Sequence, residues 1–179
     1  MIQRAFTYLG YRYAKFQFRA DVDAVQPLTD FFHTAKSMLV ILPVGYEEAL
    51  IAGTILRDML KQRRSLHLTV IHNSTRETPL SELSRCEVVR LNPEDINRFS
   101  LPRKSIMQRL IAQHYDVAVN LNLDFILHTA YICKASRASV RVGCTHLASD
   151  VFYNVQVNLT TPASPHVLFK RFAECMAMF

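Results

Sequence analysis

The residues whose types and spacing could do chemistry gather at a few points along the chain. Gly45-Tyr46-Glu47-Glu48 follows an apolar run and sets two carboxylates side by side, and a carboxylate there could take a proton from a hydroxyl within hydrogen-bond reach. Asn120 and Asn122 close a second apolar run, and His128 and Arg141 follow downstream. Together these groups could hold a sugar or a short peptide by hydrogen bonds. The same residues also admit a purely structural role: each glutamate favours a helix N-terminus by about 0.3–1 kcal/mol, Asn122 or Asp124 caps a helix, and Arg141 pairs with a carboxylate.

Other chemistries are excluded more firmly. Cys144-Thr145-His146 puts a thiol near an imidazole, but residues two apart need not meet and no third group orients the base, so a structural role is expected. The seven histidines form no H-x-x-x-H pair and the four cysteines form no C-x-x-C pair, so neither a metal nor a redox centre is expected. The Pro43 to Glu48 junction is neither a G-x-G-x-x-G fingerprint nor a P-loop, and its glutamates repel phosphate. The next strand ends in His72-Asn73, where a dinucleotide fold needs an acid for the ribose. A dehydrogenase is therefore excluded and no cofactor is expected.

The elements that must position these groups can be read from periodicity. Met38 to Leu42 is a short continuous apolar run, which suits a strand buried on both faces, and apolar residues from Glu47 recur at helical spacing. Further strands are expected at Leu66–Ile71, Glu87–Leu91, Tyr115–Leu121, Ser139–Gly143 and Val151–Leu159. Helices are expected at Leu28–Thr34, Pro102–Gln113, Asp124–Ser136 and His166–Met178, the last packing through Val167, Phe169, Phe172, Ala173 and Met176. Turns fall near Pro27, at Asn92–Asp95 and at Thr160–Pro165, and Ser74–Ser84 reads as a loop or a short helix. Alternating strands and helices predict an α/β fold: a Rossmann-like, mostly parallel sheet with helices on both faces, in a single domain. Its crevice lies between the first and fourth strands, and the groups expected there are Gly45, Tyr46, Glu47, Glu48, Asn120, Asn122 and His128, with Arg141 beyond.

Composition limits the partners. The 179 residues, half of them hydrophobic, suit one core, and a net charge of +6 is too modest to argue for nucleic acid, which is not an expected partner. Residues 1–20 carry Arg4, Arg12, Lys15 and Arg19 with no acid, interleaved with six aromatic residues. Such a segment either packs as a helix on its own domain, the favoured reading, or lies on an anionic membrane surface or docks a partner. Gly10 weakens that helix by about 1 kcal/mol relative to Ala. No apolar run reaches the roughly 18 residues that span a bilayer and no signal peptide is evident, so a cytoplasmic protein, peripheral at most to the inner membrane, is expected.

Three stretches carry a family resemblance: Leu39-Val40-Ile41-Leu42 through Gly45 and Glu48 to Ile55-Leu56-Arg57; Tyr115 to Asn122; and Arg141-Val142-Gly143. From Ser37 to about Asn158 their order and spacing resemble the N-terminal, acceptor-side lobe of the bacterial heptosyltransferases, two-lobed GT-B glycosyltransferases. The order also resembles small uncharacterised bacterial α/β families. The chain is expected to divide into a basic, aromatic helical arm at 1–36, the half-fold carrying the heptosyltransferase resemblance at 37–159 and a C-terminal helix packing on it at 160–179. That resemblance puts Glu48 where the family has the acid of a Gly-Asp turn, proposed as the general base toward the acceptor, although Glu47 replaces the glycine. It puts Asn120, which cannot act as a base, where the family has a strand-end Asp. The donor-binding lobe, for which a whole enzyme would need roughly 300 residues or more, is expected to be missing. The expectation is therefore a noncatalytic binding or assembly module that takes a protein partner or a second copy of itself. The alternative is the acceptor-binding part of a split glycosyltransferase, with a sugar ligand and Glu48 as base.

Overall fold

Four consecutive residues, Met38 to Ile41, expose no surface, as a strand covered on both faces requires. They form most of β1 (Ser37–Ile41) in a computed structural model that describes residues 2–21, 23, 30–61, 63–73, 78–83, 85–159 and 163–178. β1 joins β2 (His67–His72), β3 (Cys86–Arg90), β4 (Val117–Asn120), β5 (Val140–Cys144) and β6 (Val155–Val157) in one sheet. The order is β3-β2-β1-β4-β5-β6 and every pairing is parallel, which bears out the Rossmann-like expectation. Strand order reverses at β1 and β4, so the crevice opens beyond their carboxyl ends. Ile41 pairs with Asn120 there, and the next residue, Leu42, donates its N–H to the Ile71 carbonyl.

Alternation divides the sheet residues between two cores. Met38, Val40, Leu42, Val117, Val119 and Val142 point to the face covered by α2 (Phe31–Thr34), α3 (Tyr46–Leu60) and α6 (Pro165–Ala177). Leu39, Ile41, Ile71 and Ala118 point to the other, covered by α1 (Ile2–Gln17), α4 (Lys104–Ile111) and α5 (Leu127–Ala135). On this second face Ala118 and Gly143 are small where larger groups come close: a Cβ on Gly143 would sit 2.6 Å from the Tyr153 ring.

Two sequence expectations need correction. The last strand is only Val155–Val157, because Ser149–Val151 forms a 3-10 turn and Phe152 and Tyr153 fold inward as buried members of the second core. Val167 is 39% exposed and does not pack, whereas Phe169, Phe172 and Met176 of α6 are buried against Ala52, Leu56 and Leu121. The expected turn near Pro27, the start of the helix at Leu28, Ser74–Glu77 and Ser84 of the Ser74–Ser84 segment, and Thr160–Pro162 lie outside the described residues.

The basic, aromatic arm is a helix docked on the domain. Gly10 and Ala14 are its buried residues, and the aromatic rings divide between two sides. Phe6 meets Phe99 edge-on at 5.5 Å and Phe18 meets Tyr131 at 5.1 Å, whereas Tyr8, Tyr13 and Phe16 face outward. Gly10 is where the backbone comes closest, since a Cβ there would lie 2.0 Å from the Phe99 carbonyl oxygen. Among the described residues no helix is long and apolar enough to cross a membrane.

Candidate functional site

Asn120 and Asn122 end β4 at the switch point, and both are buried. Asn122 accepts a hydrogen bond from the Val44 N–H at 3.0 Å and donates to the Leu42 carbonyl at 3.3 Å, pinning the chain as it leaves β1. It also donates from its backbone N–H and its side-chain amide to Asn120 Oδ1, at 3.1 and 2.8 Å. Asn120 donates in turn to Thr129 Oγ1 at 3.1 Å and to the Tyr153 hydroxyl at 2.6 Å. Burial raises the Tyr153 phenol well above its usual value, with the nearby thiols Cys133 and Cys144 adding to the rise against the Asn120 hydrogen bond, so the hydroxyl stays protonated. The two asparagines therefore come together as expected, but their polar atoms are engaged within the protein. Thr129 and Tyr153 were missed because Tyr153 reads as a strand residue in a run of β-formers.

Gly45 is the N-cap of α3, with Tyr46, Glu47 and Glu48 in the first turn. The Glu48 carboxylate folds back over Gly45, where a Cβ would lie 3.4 Å from its Oε2. Glu47 is exposed and Glu48 half-buried, and among the described residues no hydrogen bond or ion pair engages the Glu48 carboxylate. Negative charge at this position stabilises the helix dipole. The same charge leaves the helix end unsuited to a phosphate.

His128 stands in the first turn of α5, just beyond the crevice end of β4, and burial holds its imidazole down at about 4. Arg141 corrects the expectation that placed it near the crevice: it is the second residue of β5, toward the amino end of the strand, and is buried. Its guanidinium donates to the carbonyls of Phe152 at 3.0 Å and Ala138 at 2.8 Å and pairs with Asp23. Asp23 also binds the buried Lys134 at 3.1 Å. Burial works to raise the Asp23 carboxyl, but the hydrogen bonds and charges of Arg141 and Lys134 outweigh it and hold the pKa below the ordinary value.

Asp116, within the Tyr115-to-Asn122 stretch, also has a structural task at the amino end of the sheet. Its Oδ2 accepts from Lys36 N at 2.7 Å, Ser37 N at 2.9 Å and Ser37 Oγ at 3.1 Å. Those bonds join the entries of β1 and β4 and, against the effect of burial, lower the Asp116 pKa. The thiol reading of Cys144 fails on chemistry, because burial pushes its pKa up to about 11, with Asp124 adding to the effect, and a neutral thiol is a poor nucleophile. No cluster of three metal-binding side chains occurs among the described residues.

Compared with known proteins, no family model and no curated protein matches the chain. Solved structures do. The heptosyltransferase WaaC of E. coli with ADP is 15% identical with a TM-score of 0.59, over 78% of this chain and 46% of that one. The glycosyl transferase family 9 protein of Veillonella parvula is 14% identical with a TM-score of 0.61, over 80% and 42%. E. coli WaaC with ADP-2-deoxy-2-fluoro heptose is 14% identical with a TM-score of 0.55, over 78% and 48%. The chain thus has the fold of a glycosyltransferase half-domain and spans less than half the length of the structures it matches.

Proposed function

We propose that the chain is a noncatalytic binding or assembly module built on a glycosyltransferase half-fold, with residues 1–36 as an arm, 37–159 as the fold and 160–179 as a closing helix. The observation that carries this reading is the Asn122–Asn120–Thr129–Tyr153 network, which turns the polar atoms at the switch point inward. Beside the Glu47 and Glu48 carboxylates this end of the sheet also exposes apolar side chains: Val44 is 43% exposed after β1, and Leu147 is fully exposed in the loop after β5. On this reading Leu147, a large apolar side chain with no cover, is a contact for a protein partner or a second copy of the chain. The cellular setting that fits is the cytoplasm, with residues 1–20 able to meet an anionic inner-membrane surface.

A second reading has one observation in its favour. The half-buried Glu48 carboxylate lies at the crevice with no described partner, as a general base toward an acceptor hydroxyl would. On that reading the chain is the acceptor-binding part of a split heptosyltransferase-like enzyme, a separate chain supplies the donor lobe, and the ligand is a sugar. Copurification of the tagged chain from its native cytoplasm separates the two. A complex that persists in Leu147→Asp contradicts docking through Leu147. Sugar transfer by a recovered complex that is lost in Glu48→Gln establishes the second reading and removes the first.

A further inference from the structure

A groove of about 950 Å³ runs between α1, the 97–105 segment, α4 and α5, on the face of the sheet that carries α1. Its size falls in the roughly 300–1,000 Å³ range of small-ligand sites. Leu9 and Tyr13 of α1, Phe99, Leu101 and Met107 supply apolar lining, and Tyr131 adds an aromatic wall. Arg103 and Lys104 stand at the mouth, and no described lining residue is acidic. Arg98 lies beside them, 4.9 Å over the Phe99 ring.

The outward face of α1 continues this surface. At 100° per residue, Ile2, Leu9, Tyr13 and Phe16 fall on one stripe and Arg4, Arg12 and Lys15 on the stripe next to it, with Arg19 in the turn after the helix ends at Gln17. All four members of the first stripe are more than half exposed. Arg19 lies 4.0 Å over the Phe16 ring, which holds charge and apolar surface together. A helix with an apolar stripe bordered by basic residues and no acid suits the plane of an anionic bilayer.

We infer that this face is a lipid site: α1 lies along an anionic membrane surface, the basic residues meet phospholipid headgroups, and one lipid chain enters the groove under Tyr13. The inference rests on the peripheral contact read for residues 1–20 and is independent of the crevice. Charge complementarity favours an anionic lipid over a zwitterionic one, since α1 carries Arg4, Arg12 and Lys15 with no acid and the described groove lining holds Arg103 and Lys104 with no acid.

The sequence contains no tryptophan, so Tyr13→Trp gives a single fluorophore at the groove. The probes are vesicles of phosphatidylcholine alone and vesicles of equal parts phosphatidylcholine and phosphatidylglycerol, each with and without brominated chains. The expected result is a blue shift and bromine quenching with the anionic vesicles alone. Arg103→Gln with Lys104→Gln weakens binding by about 25-fold, from roughly fivefold per basic residue near the surface. Leu9→Arg, an exposed position that leaves the fold intact, abolishes quenching. Vesicle binding with no quenching at position 13 overturns the groove while leaving the peripheral contact. Equal binding to both vesicles, or binding to neither, overturns both. Self-association that Tyr13→Ser abolishes, without vesicle binding, assigns the face to protein contact and also overturns the inference.

Discussion

Gly10→Ala puts helix propensity and packing in opposition within one residue. In an isolated helix the substitution stabilises by about 1 kcal/mol. Here the added Cβ lands 2.0 Å from the Phe99 carbonyl oxygen, 3.1 Å from Phe99 C and 3.2 Å from Leu127 Cδ2. The nearest atom is backbone and cannot rotate away. Reaching an ordinary 3.4 Å contact requires α1 and the 97–101 segment to part by 1.4 Å (3.4 − 2.0). That displacement costs about 1–3 kcal/mol as overpacking and loosens the Phe6–Phe99 pair, worth about 0.5–1.5 kcal/mol. Setting the propensity gain against these costs leaves Gly10→Ala less stable by about 0.5–3.5 kcal/mol. Equilibrium urea unfolding measures it, with Gly53→Ala in α3 as the control. There a Cβ meets Pro79 Cδ at 3.3 Å and Thr78 Oγ1 at 3.4 Å, so that variant stays near wild type or gains up to about 1 kcal/mol. A Gly10→Ala protein as stable as Gly53→Ala refutes the docking of α1 on the 97–101 segment, and with it the groove.

Further outcomes follow from the buried groups. Asp23→Asn leaves Arg141 and Lys134 without their carboxylate and lowers stability by about 2–3 kcal/mol in calorimetry, below the 3–5 typical of a fully buried pair because the Asp23 side chain keeps 38% exposure. His128 binds a proton near 6.5 when unfolded but only near 4 when folded, so stability is full above pH 6.5 and falls as pH drops toward about 4. Between pH 7 and pH 5 the loss is on the order of 2 kcal/mol, and His128→Gln flattens that window in pH-dependent unfolding. The lowered Asp23 and Asp116 carboxyls lose their contributions only below the ordinary value of 3.8, outside that window. Gly143→Ala drives a Cβ into the Tyr153 ring and costs about 1–3 kcal/mol in thermal unfolding, with loss of the Asn120–Tyr153 hydrogen bond.

The sheet was legible in the sequence because its signal is local. Met38 to Leu42 is a continuous apolar run and Tyr115 to Leu121 a largely apolar one interrupted by Asp116 and Asn120, and in the second Val117, Val119 and Leu121 face one core and Ala118 the other. Phe152 and Tyr153 were misread because β propensity describes a half-buried pleated surface, and here a 3-10 turn sends both rings into the core. At the site, the meeting of Asn120 with Asn122 follows from period two, whereas the partners of each amide depend on Thr129 and Tyr153, brought in by tertiary packing. Arg141 was expected beyond the crevice, yet its carboxylate partner lies 118 residues away in sequence, and no local pattern encodes that pairing. Gly10 carried the reverse lesson: a residue that weakens a helix by propensity is the one that lets the helix dock.

The Asn120 and Asn122 side chains serve the fold, and the proposed module reading requires that the chain have no nucleotide-sugar site of its own. Isothermal titration of the purified wild-type chain with a nucleotide sugar tests it directly. No saturable heat is expected at millimolar ligand, whereas a saturable isotherm that Glu48→Gln weakens contradicts the module reading.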